Sequence, residues 1–237
     1  MVPRIITTSW DDGHPLDMRV ASILARHALR GTFYVPVRPV AGRVIGVNEM
    51  RELMAMGMEI GSHTVTHPIL TELPQSALDR ELRESRSALE NALGRQVTSF
   101  CYPKGRFNAR VVRRAALAGY RVCRTTVDYH IGLRFNPIRM PVSLHLFPQS
   151  VYARYRHALR YRNWRGLQRR DKDMETCAGQ LLDQVDREGG AFHLWGHSWE
   201  IEEHGLWPQF ERMVARMARL TEAAALTNGE LANAIQS

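Results

Sequence analysis

Two adjacent carboxylates and a pair of imidazoles are the residues of this chain best suited to chemistry. Asp11 and Asp12 stand in the run Ser9-Trp10-Asp11-Asp12-Gly13-His14, and His63 and His67 stand four positions apart in Gly61-Ser62-His63-Thr64-Val65-Thr66-His67-Pro68. One carboxylate with two neutral imidazoles is a donor set for a divalent transition metal that leaves coordination positions open to water and substrate. The second carboxylate is then free to act as a base. A further histidine pair at the same spacing, His193 and His197, lies near the carboxyl end. No phosphate-cradling glycine loop, nucleophile elbow or H-E-x-x-H run accompanies them, which removes the commonest nucleotide, serine-hydrolase and zincin readings.

The elements that must position these groups follow from hydrophobic patterning. Ile5 to Thr8 reads as a buried strand running into Trp10-Asp11-Asp12-Gly13, and Met58-Glu59-Ile60 as a short strand running into Gly61-Ser62-His63. Both sets therefore fall at carboxyl ends of strands, where α/β folds build their sites. Pro15 to Leu29 predicts a helix, Thr32 to Val35 a strand, and Glu49 to Met56 a helix capped by Asn48 and stopped by Gly57. Thr71 or Ser76 opens a long helix that presents Leu78, Leu82, Ser85 and Leu89 on one face and closes at Gly94. Val97 to Cys101 is a strand, Asn108 caps a helix to Ala118, and Arg121 to Thr125 is a strand again. The stretch from Asp128 to Gln149 reads as loop with a short strand near Arg139-Met140-Pro141. Met174 to Glu188 fits a helix, Ala191 to Trp195 a buried strand delivering His197, and Pro208 to Leu220 the last helix. Such alternation implies a parallel sheet with right-handed crossovers, and about seven strands suit an incomplete barrel.

The carboxylate and histidine runs resemble the polysaccharide deacetylase (NodB homology) family, carbohydrate esterase family four. There an aspartate pair in a T-F-D-D-G-like run is followed by H-[ST]-x-x-H-P. The resemblance runs the length of the chain, with Phe100-Cys101-Tyr102-Pro103-Lys104-Gly105 similar to the third motif and Leu194-Trp195-Gly196-His197 to the last. It implies an α/β fold, a distorted (β/α)7 barrel of the polysaccharide deacetylase type. Position by position it implies that Asp11 is the catalytic base, that Asp12, His63 and His67 bind the metal, and that His197 is the general acid. It places an oxyanion-stabilising N–H in the Tyr102-Pro103-Lys104 turn, where Pro103 has no N–H to give and Lys104 does. Where the family has an Arg that pairs with the catalytic aspartate, this chain has Cys101, so a cation would come from Arg106, Arg124 or Arg139. The family's fourth motif, an Asp with a nearby Trp that orients the acid histidine, has only a faint echo in Asp128-Tyr129, and Glu200 is placed to take that role. Trp195 or Trp199 can wall a small pocket for an acetyl methyl group. His14 is expected at the mouth of the site. His193 shares a strand face with Trp195 and His197, and the simpler expectation for it is a hydrogen-bonded core histidine.

The leading expectation is a hydrolase that removes an N-acetyl group from an N-acetylated sugar or glycan precursor. Its cofactor would be one divalent metal ion, Zn2+ first, with Co2+, Ni2+, Mn2+ and Fe2+ also suited to the donors. Two alternatives remain: a metal-dependent amidase or deformylase acting on a non-sugar or lipid-linked amide, and a catalytically weak glycan-binding homologue.

With 237 residues, 44% of them hydrophobic, the chain can bury one sizeable core, and a single domain over 1–237 is expected. Its net charge of +8 is concentrated between Arg154 and Lys172, where eight Lys or Arg stand against the one acid Asp171. Aromatics interleave there at Tyr152, Tyr155, Tyr161 and Trp164. This segment is read as a basic helical insertion around 150–173, either a solvated surface helix or a contact for an anionic or lipid-linked substrate or an anionic membrane surface. No nucleic-acid partner is expected, since no recognisable binding motif accompanies the patch. The three cysteines lack C-x-x-C spacing and are expected as reduced thiols. No run of about 18 apolar residues exists. Met1-Val2-Pro3-Arg4 leads into the first strand without a signal-like region, which gives a cytoplasmic expectation.

Overall fold

A computed structural model describes residues 2–40, 42–147, 159 and 173–236. In chain order the elements are β1 (Arg4–Trp10), α1 (Asp17–Arg26), β2 (Gly31–Val35), α2 (Val47–Ala55), β3 (Glu59–Ser62), α3 (Gln75–Leu93), β4 (Ser99–Cys101), α4 (Ala109–Leu117) and β5 (Val122–Arg124). They continue with β6 (Leu144–His145), α5 (Met174–Glu188), β7 (Gly190–Gly196), α6 (Ser198–Glu203), α7 (Trp207–Ala218), β8 (Ala224–Ala225) and α8 (Asn228–Ala234). The strands form one sheet in the order β5-β4-β3-β2-β1-β7-β6, every pairing parallel, so it curves as an open half-barrel. On one side of β1 the pairing is divided, with β2 on its carboxyl-terminal half from Thr8 and β8 on Ile5 and Ile6. The expected α/β architecture of the distorted (β/α)7 type is the one observed. Consecutive strands from β1 to β5 are sheet neighbours, so the aspartates after β1 and the histidines after β3 open on the same rim.

Amphipathic helices cover the outer face. α3 buries Leu78, Leu82, Ser85 and Leu89, and its one polar member is satisfied by Ser62 Oγ at 2.9 Å and the Tyr120 hydroxyl at 3.1 Å. Gly94 ends the helix in the left-handed conformation at φ 69°. α4 starts as expected, with Asn108 Oδ1 accepting the Val111 N–H at 2.9 Å. One apolar cluster joins Trp10, Leu24, Phe33, Phe192 and Phe210, and a second joins Leu78, Leu82, Phe100, Val111 and Tyr120 beneath α3 and α4.

The inside of the half-barrel carries a network of polar side chains. Ser9 Oγ lies 2.9 Å from His193 Nε2, Thr32 donates to Glu59 at 2.7 Å, and Ser99 donates to the same carboxylate. α8 closes the amino-terminal end of the strands, giving the Gly229 N–H to Glu59 at 2.9 Å and the Asn228 amide to the Tyr34 hydroxyl at 2.8 Å. Gly61 is required by close approach, because a Cβ there would meet the Tyr34 ring at 2.5 Å.

Several boundaries differ from expectation for local reasons. α2 begins after Gly46, whose N–H is taken by the Glu49 carboxylate at 2.7 Å, and not at Asn48. α3 begins after Pro74, which keeps Leu73 extended at ψ 145° and separates the helix from a short turn over Leu70–Glu72, so neither Thr71 nor Ser76 caps it. Around Met140 there is a single bridge to Arg124 where a short strand was expected. β6, β8, α6 and α8 were not foreseen, and α8 follows the helix expected to be last. The expected basic helical insertion around 150–173 lies outside the described residues, Leu159 and Asp173 apart. Among the described residues no helix is long and apolar enough to cross a membrane, and Cys101, Cys123 and Cys177 are all buried.

Candidate metal centre and active site

Asp12, His63 and His67 converge. Nε2 of His63 lies 3.7 Å from Asp12 Oδ1, and Nε2 of His67 lies 3.6 Å from the same oxygen. His63 gives its Nδ1–H to the Cys101 carbonyl at 2.9 Å, which fixes the tautomer and leaves the Nε2 lone pair facing inward. Asp12 Oδ1 is buried and has no hydrogen-bond partner among the described residues. The other oxygen, Oδ2, accepts from the Trp199 indole at 3.1 Å. Burial lowers the pKa of both histidines, that of His67 to about 4 with help from the charge of His63. Neutral imidazoles, an oriented carboxylate and an unpartnered oxygen between them fit a divalent ion. Metal affinity is therefore expected to stay level as the pH falls from ~8 to ~5 and to drop only towards the depressed histidine pKa, because these rings stay unprotonated above it. Calorimetric titration of the apoprotein across that range checks this; a fall already centred near the ordinary histidine value of ~6.5 contradicts it.

The backbone that aims these groups is strained. Asp12 (φ 75°), Thr64 (φ 70°), His67 (φ 55°) and Lys104 (φ 54°) are all non-glycine residues in the left-handed region. The loop carrying the histidines is held by Glu81 of α3, which accepts the N–H groups of Val65 at 2.7 Å and Thr66 at 3.0 Å and the Thr66 hydroxyl at 2.6 Å. Thr64 Oγ1 in turn accepts the His67 N–H at 2.9 Å. Glu81 was missed by sequence reasoning, since it lies on the polar side of an amphipathic helix and nothing in the pattern sets it apart from its neighbours. Glu81→Ala is expected to weaken metal binding about 10- to 100-fold while the far-UV spectrum stays unchanged. Equal affinity in the two proteins would remove Glu81 from the support of the site.

Asp11 is 4% exposed and is engaged by Arg124 of β5, which is fully buried. An Arg124 Nη2–H bonds Asp11 Oδ1, and the Cys101 thiol lies 3.5 Å from Oδ2. Cys101 and Arg124 are direct register partners across β4 and β5. The cation expected at Cys101 thus arrives from the adjacent strand, and the small thiol leaves it room. The guanidinium carbon sits 4.5 Å from the Trp195 ring centroid, a cation–π contact. Burial opposes the charge on Asp11, but the charges of Arg124, His63 and His197, with the Arg124 hydrogen bond, outweigh it and hold the carboxyl well below the usual range. Of the three candidate cations only Arg124 makes this contact. Arg139 is exposed, its guanidinium 5.6 Å from the Phe107 ring centroid, and neither it nor Arg106 lines the cleft described next.

His197 follows β7 on the other side of Asp12. Its Nε2 lies 3.8 Å from Asp12 Oδ2, and its Nδ1 lies 2.7 Å from Glu200 Oε2. Burial disfavours the imidazolium, but the Glu200 hydrogen bond and the charges of Asp11, Glu200 and Asp12 more than compensate and raise the His197 pKa. Burial pushes the Glu200 carboxyl upward, and the hydrogen bonds from His145 and His197 prevail to hold it near about 2.

These groups open into one cleft of about 640 Å³, within the usual range for a small-molecule site. Asp11, Asp12, His63, His67, Lys104, Trp195, His197, Trp199 and Glu200 all line it, together with Asp128 and His145. Tyr102 and Pro103 do not. Both are buried, and the Tyr102 hydroxyl donates to the Ile138 carbonyl at 2.9 Å while its ring packs on Phe100 and Phe107. His14 does not line the cleft, and its Nδ1 accepts the Leu16 N–H at 3.2 Å at the start of α1. His193 sits beneath the cleft, 2% exposed, with burial lowering its pKa to about 3. His145 was missed because it lies in a stretch that reads as loop.

Among known proteins, the family model described as polysaccharide deacetylase matches residues 2–123. A chitooligosaccharide deacetylase of Rhizobium leguminosarum bv. trifolii is 30% identical over 128 residues, 53% of this chain and 58% of that protein. The chain thus matches little more than half the length of that relative. A chitin deacetylase from the fungal pathogen Colletotrichum lindemuthianum has the same fold, with a TM-score of 0.60 at 18% identity over 98% of this chain and 88% of that one. So does a wild-type Bacillus anthracis protein described as a pseudoenzyme of carbohydrate esterase family four, with a TM-score of 0.59 at 17% identity over 97% and 66% of the two chains. With more than half of its residues covered by the family model, the chain belongs to the polysaccharide deacetylase family.

Proposed function

We propose that this protein is a metal-dependent hydrolase that removes the N-acetyl group from an N-acetylated sugar or glycan, with Asp12, His63 and His67 holding the ion. The observation that carries this reading is the convergence of those three donors on the unpartnered Asp12 Oδ1, with Asp11 and His197 lining the same cleft. A divalent ion held by these donors, Zn2+ first among the candidates, supplies Lewis acidity that polarises a carbonyl and lowers the pKa of water towards ~7.

The chain's own groups supply the rest. Asp11, ionised throughout the working pH range, accepts the proton that a water molecule loses as its oxygen bonds to the acetyl carbon. His197, with Nδ1–H held by Glu200, protonates the sugar nitrogen from Nε2 as the carbon–nitrogen bond breaks, and acetate and a free amine leave. The Lys104 N–H, on its left-handed turn at the cleft wall, is the candidate donor to the developing oxyanion. Trp195 and Trp199 give the acetyl methyl an apolar wall.

The fold alone does not decide activity, as the pseudoenzyme with the same architecture illustrates. The test is acetate release from N-acetylchitooligosaccharides by protein stripped with chelator and reloaded with Zn2+, Co2+, Ni2+, Mn2+ or Fe2+. Acetate that appears only with metal supports the reading. Formate or ammonia from non-sugar amides, without acetate, moves it to the amidase alternative. No product with any metal turns it to glycan binding without catalysis.

A further inference from the structure

His145 belongs to none of the groups assigned above, yet it is built into the cleft. It lies on the two-residue β6, in register with Trp195 of β7. Its ring stacks on the Trp195 ring at 3.8 Å with an interplanar angle of 8°, and Phe147 lies against it at 5.6 Å and 27°. The imidazole is therefore held by the sheet and by an aromatic stack. Its Nε2 lies 3.1 Å from Glu200 Oε2, the same oxygen that takes His197 Nδ1 at 2.7 Å. All three side chains are largely buried, at 12% exposure for His145, 10% for Glu200 and 18% for His197.

The chemistry of that shared oxygen fixes the protons. An ionised carboxylate only accepts hydrogen bonds, so both rings must donate to it, His145 from Nε2–H and His197 from Nδ1–H. The lone pair or reactive proton of His197 is then confined to Nε2, on the edge of the ring that faces Asp12 Oδ2 at 3.8 Å. Glu200 has rotatable bonds of its own and sits in the first turn of the six-residue α6. The hydrogen bond from His145 ties its carboxylate back to the sheet.

We propose that His145 is a positioning residue that acts through Glu200 to keep the Nδ1–H of His197 on that carboxylate, so that the proton His197 gives up is the one on Nε2, in line with the bond to be broken. The inference rests on His197 being the proton donor of the proposed hydrolysis. It requires that His145 and Glu200 work as one unit; the His145 ring also meets the His197 ring edge-on at 5.9 Å, a contact that an aromatic replacement keeps.

A double-mutant cycle with a spectroscopic arm tests it. His145→Phe keeps an aromatic ring for the stack and removes the donor, His145→Gln restores an N–H, and Glu200→Gln removes the shared acceptor charge. His145→Phe is expected to lower kcat for acetate release about 10- to 100-fold with KM and metal content unchanged, and His145→Gln to recover part of that loss. Adding His145→Phe to Glu200→Gln is expected to cost nothing further. Nitrogen-15 spectra of the apoprotein at alkaline pH, where the His197 ring is neutral, are expected to show the Nδ1–H form in the wild type and a tautomer mixture in His145→Phe. Wild-type kcat in His145→Phe, losses that multiply in the double variant, or an unchanged His197 tautomer would each overturn the proposal. So would a second equivalent of bound metal that His145→Phe abolishes, because the trio would then be a ligand set. A wild type that releases no acetate defeats the hydrolase reading alone, since the tautomer measurement still decides the role of His145.

Discussion

Replacing Arg124 with Met is expected to destabilise the protein by about 3–5 kcal/mol and to shift the acid limb of its pH–rate profile upward. The guanidinium is fully buried and its hydrogen-bonded partner is Asp11, so its removal strands a carboxylate in a site that gives it no bulk water. Burial is the largest influence on Asp11 and acts to raise its pKa; only the opposing charges, Arg124 first, hold it down. With Arg124 gone the balance reverses, Asp11 takes up a proton at higher pH, and the base is lost where the wild type still has it. The wild-type pair has a matching linkage. Because the folded pKa of Asp11 is depressed, its stabilisation is complete above the unfolded value of ~3.9 and is lost as the pH falls below it. Urea titrations of the two proteins at neutral and acid pH read the first effect, and pH–rate profiles the second. The register pairing of Cys101 with Arg124 adds a sharper check. The exchange Cys101→Arg with Arg124→Cys returns a cation to Asp11 from the neighbouring strand and is expected to recover a measurable part of the lost activity, whereas Cys101→Arg alone crowds two guanidinium groups together. No recovery in the exchange variant would mean that the position of the charge, and not its presence, is what Asp11 requires.

Asp11→Asn is expected to reduce kcat by about 10²- to 10⁴-fold while leaving metal content at the wild-type level. Asp12, His63 and His67 remain in place, so binding and chemistry separate. The substitution also leaves Arg124 without its counter-charge in a buried site, and a loss of stability of about 3–5 kcal/mol accompanies the kinetic effect. The kinetic measurement must therefore be made well below the melting temperature of the variant. A variant that hydrolyses as fast as the wild type would remove Asp11 from the role of base.

Much of this arrangement is legible in the sequence because strand ends can be read locally. The apolar runs before Asp11 and His63 stop where β1 and β3 stop, and a parallel sheet then brings their carboxyl ends to one rim without further information. Asn108 and Gly94 act as the cap and the terminator that their types suggest. What stays hidden depends on reach across the fold. Arg106, Arg124 and Arg139 are equivalent cations in the sequence, and only the β4–β5 register aims one of them at Asp11. Glu81 is one of several acids on α3 until the His63 loop packs against it. His145 is hidden because β6 has two residues and no pattern of its own, being a strand only where β7 offers it an edge. β8 is likewise formed on the free half of β1. Tyr102 shares the motif turn with Lys104, but its N–H goes to the Arg124 carbonyl at 3.4 Å and its ring into the cluster beneath α3 and α4, while Cys101 faces Asp11.

The measurement that tests the metal centre most directly is elemental mass spectrometry on purified protein, wild type beside His63→Ala, before and after exposure to Zn2+. His63 presents its Nε2 to the unpartnered Asp12 oxygen from a ring whose other nitrogen is fixed by the Cys101 carbonyl, so its loss removes one of three donors. One equivalent of metal in the wild type and almost none in His63→Ala is the expected result. A wild type that holds no metal even after exposure, or a variant that holds as much as the wild type, would contradict the assignment of Asp12, His63 and His67 and with it the proposed hydrolysis.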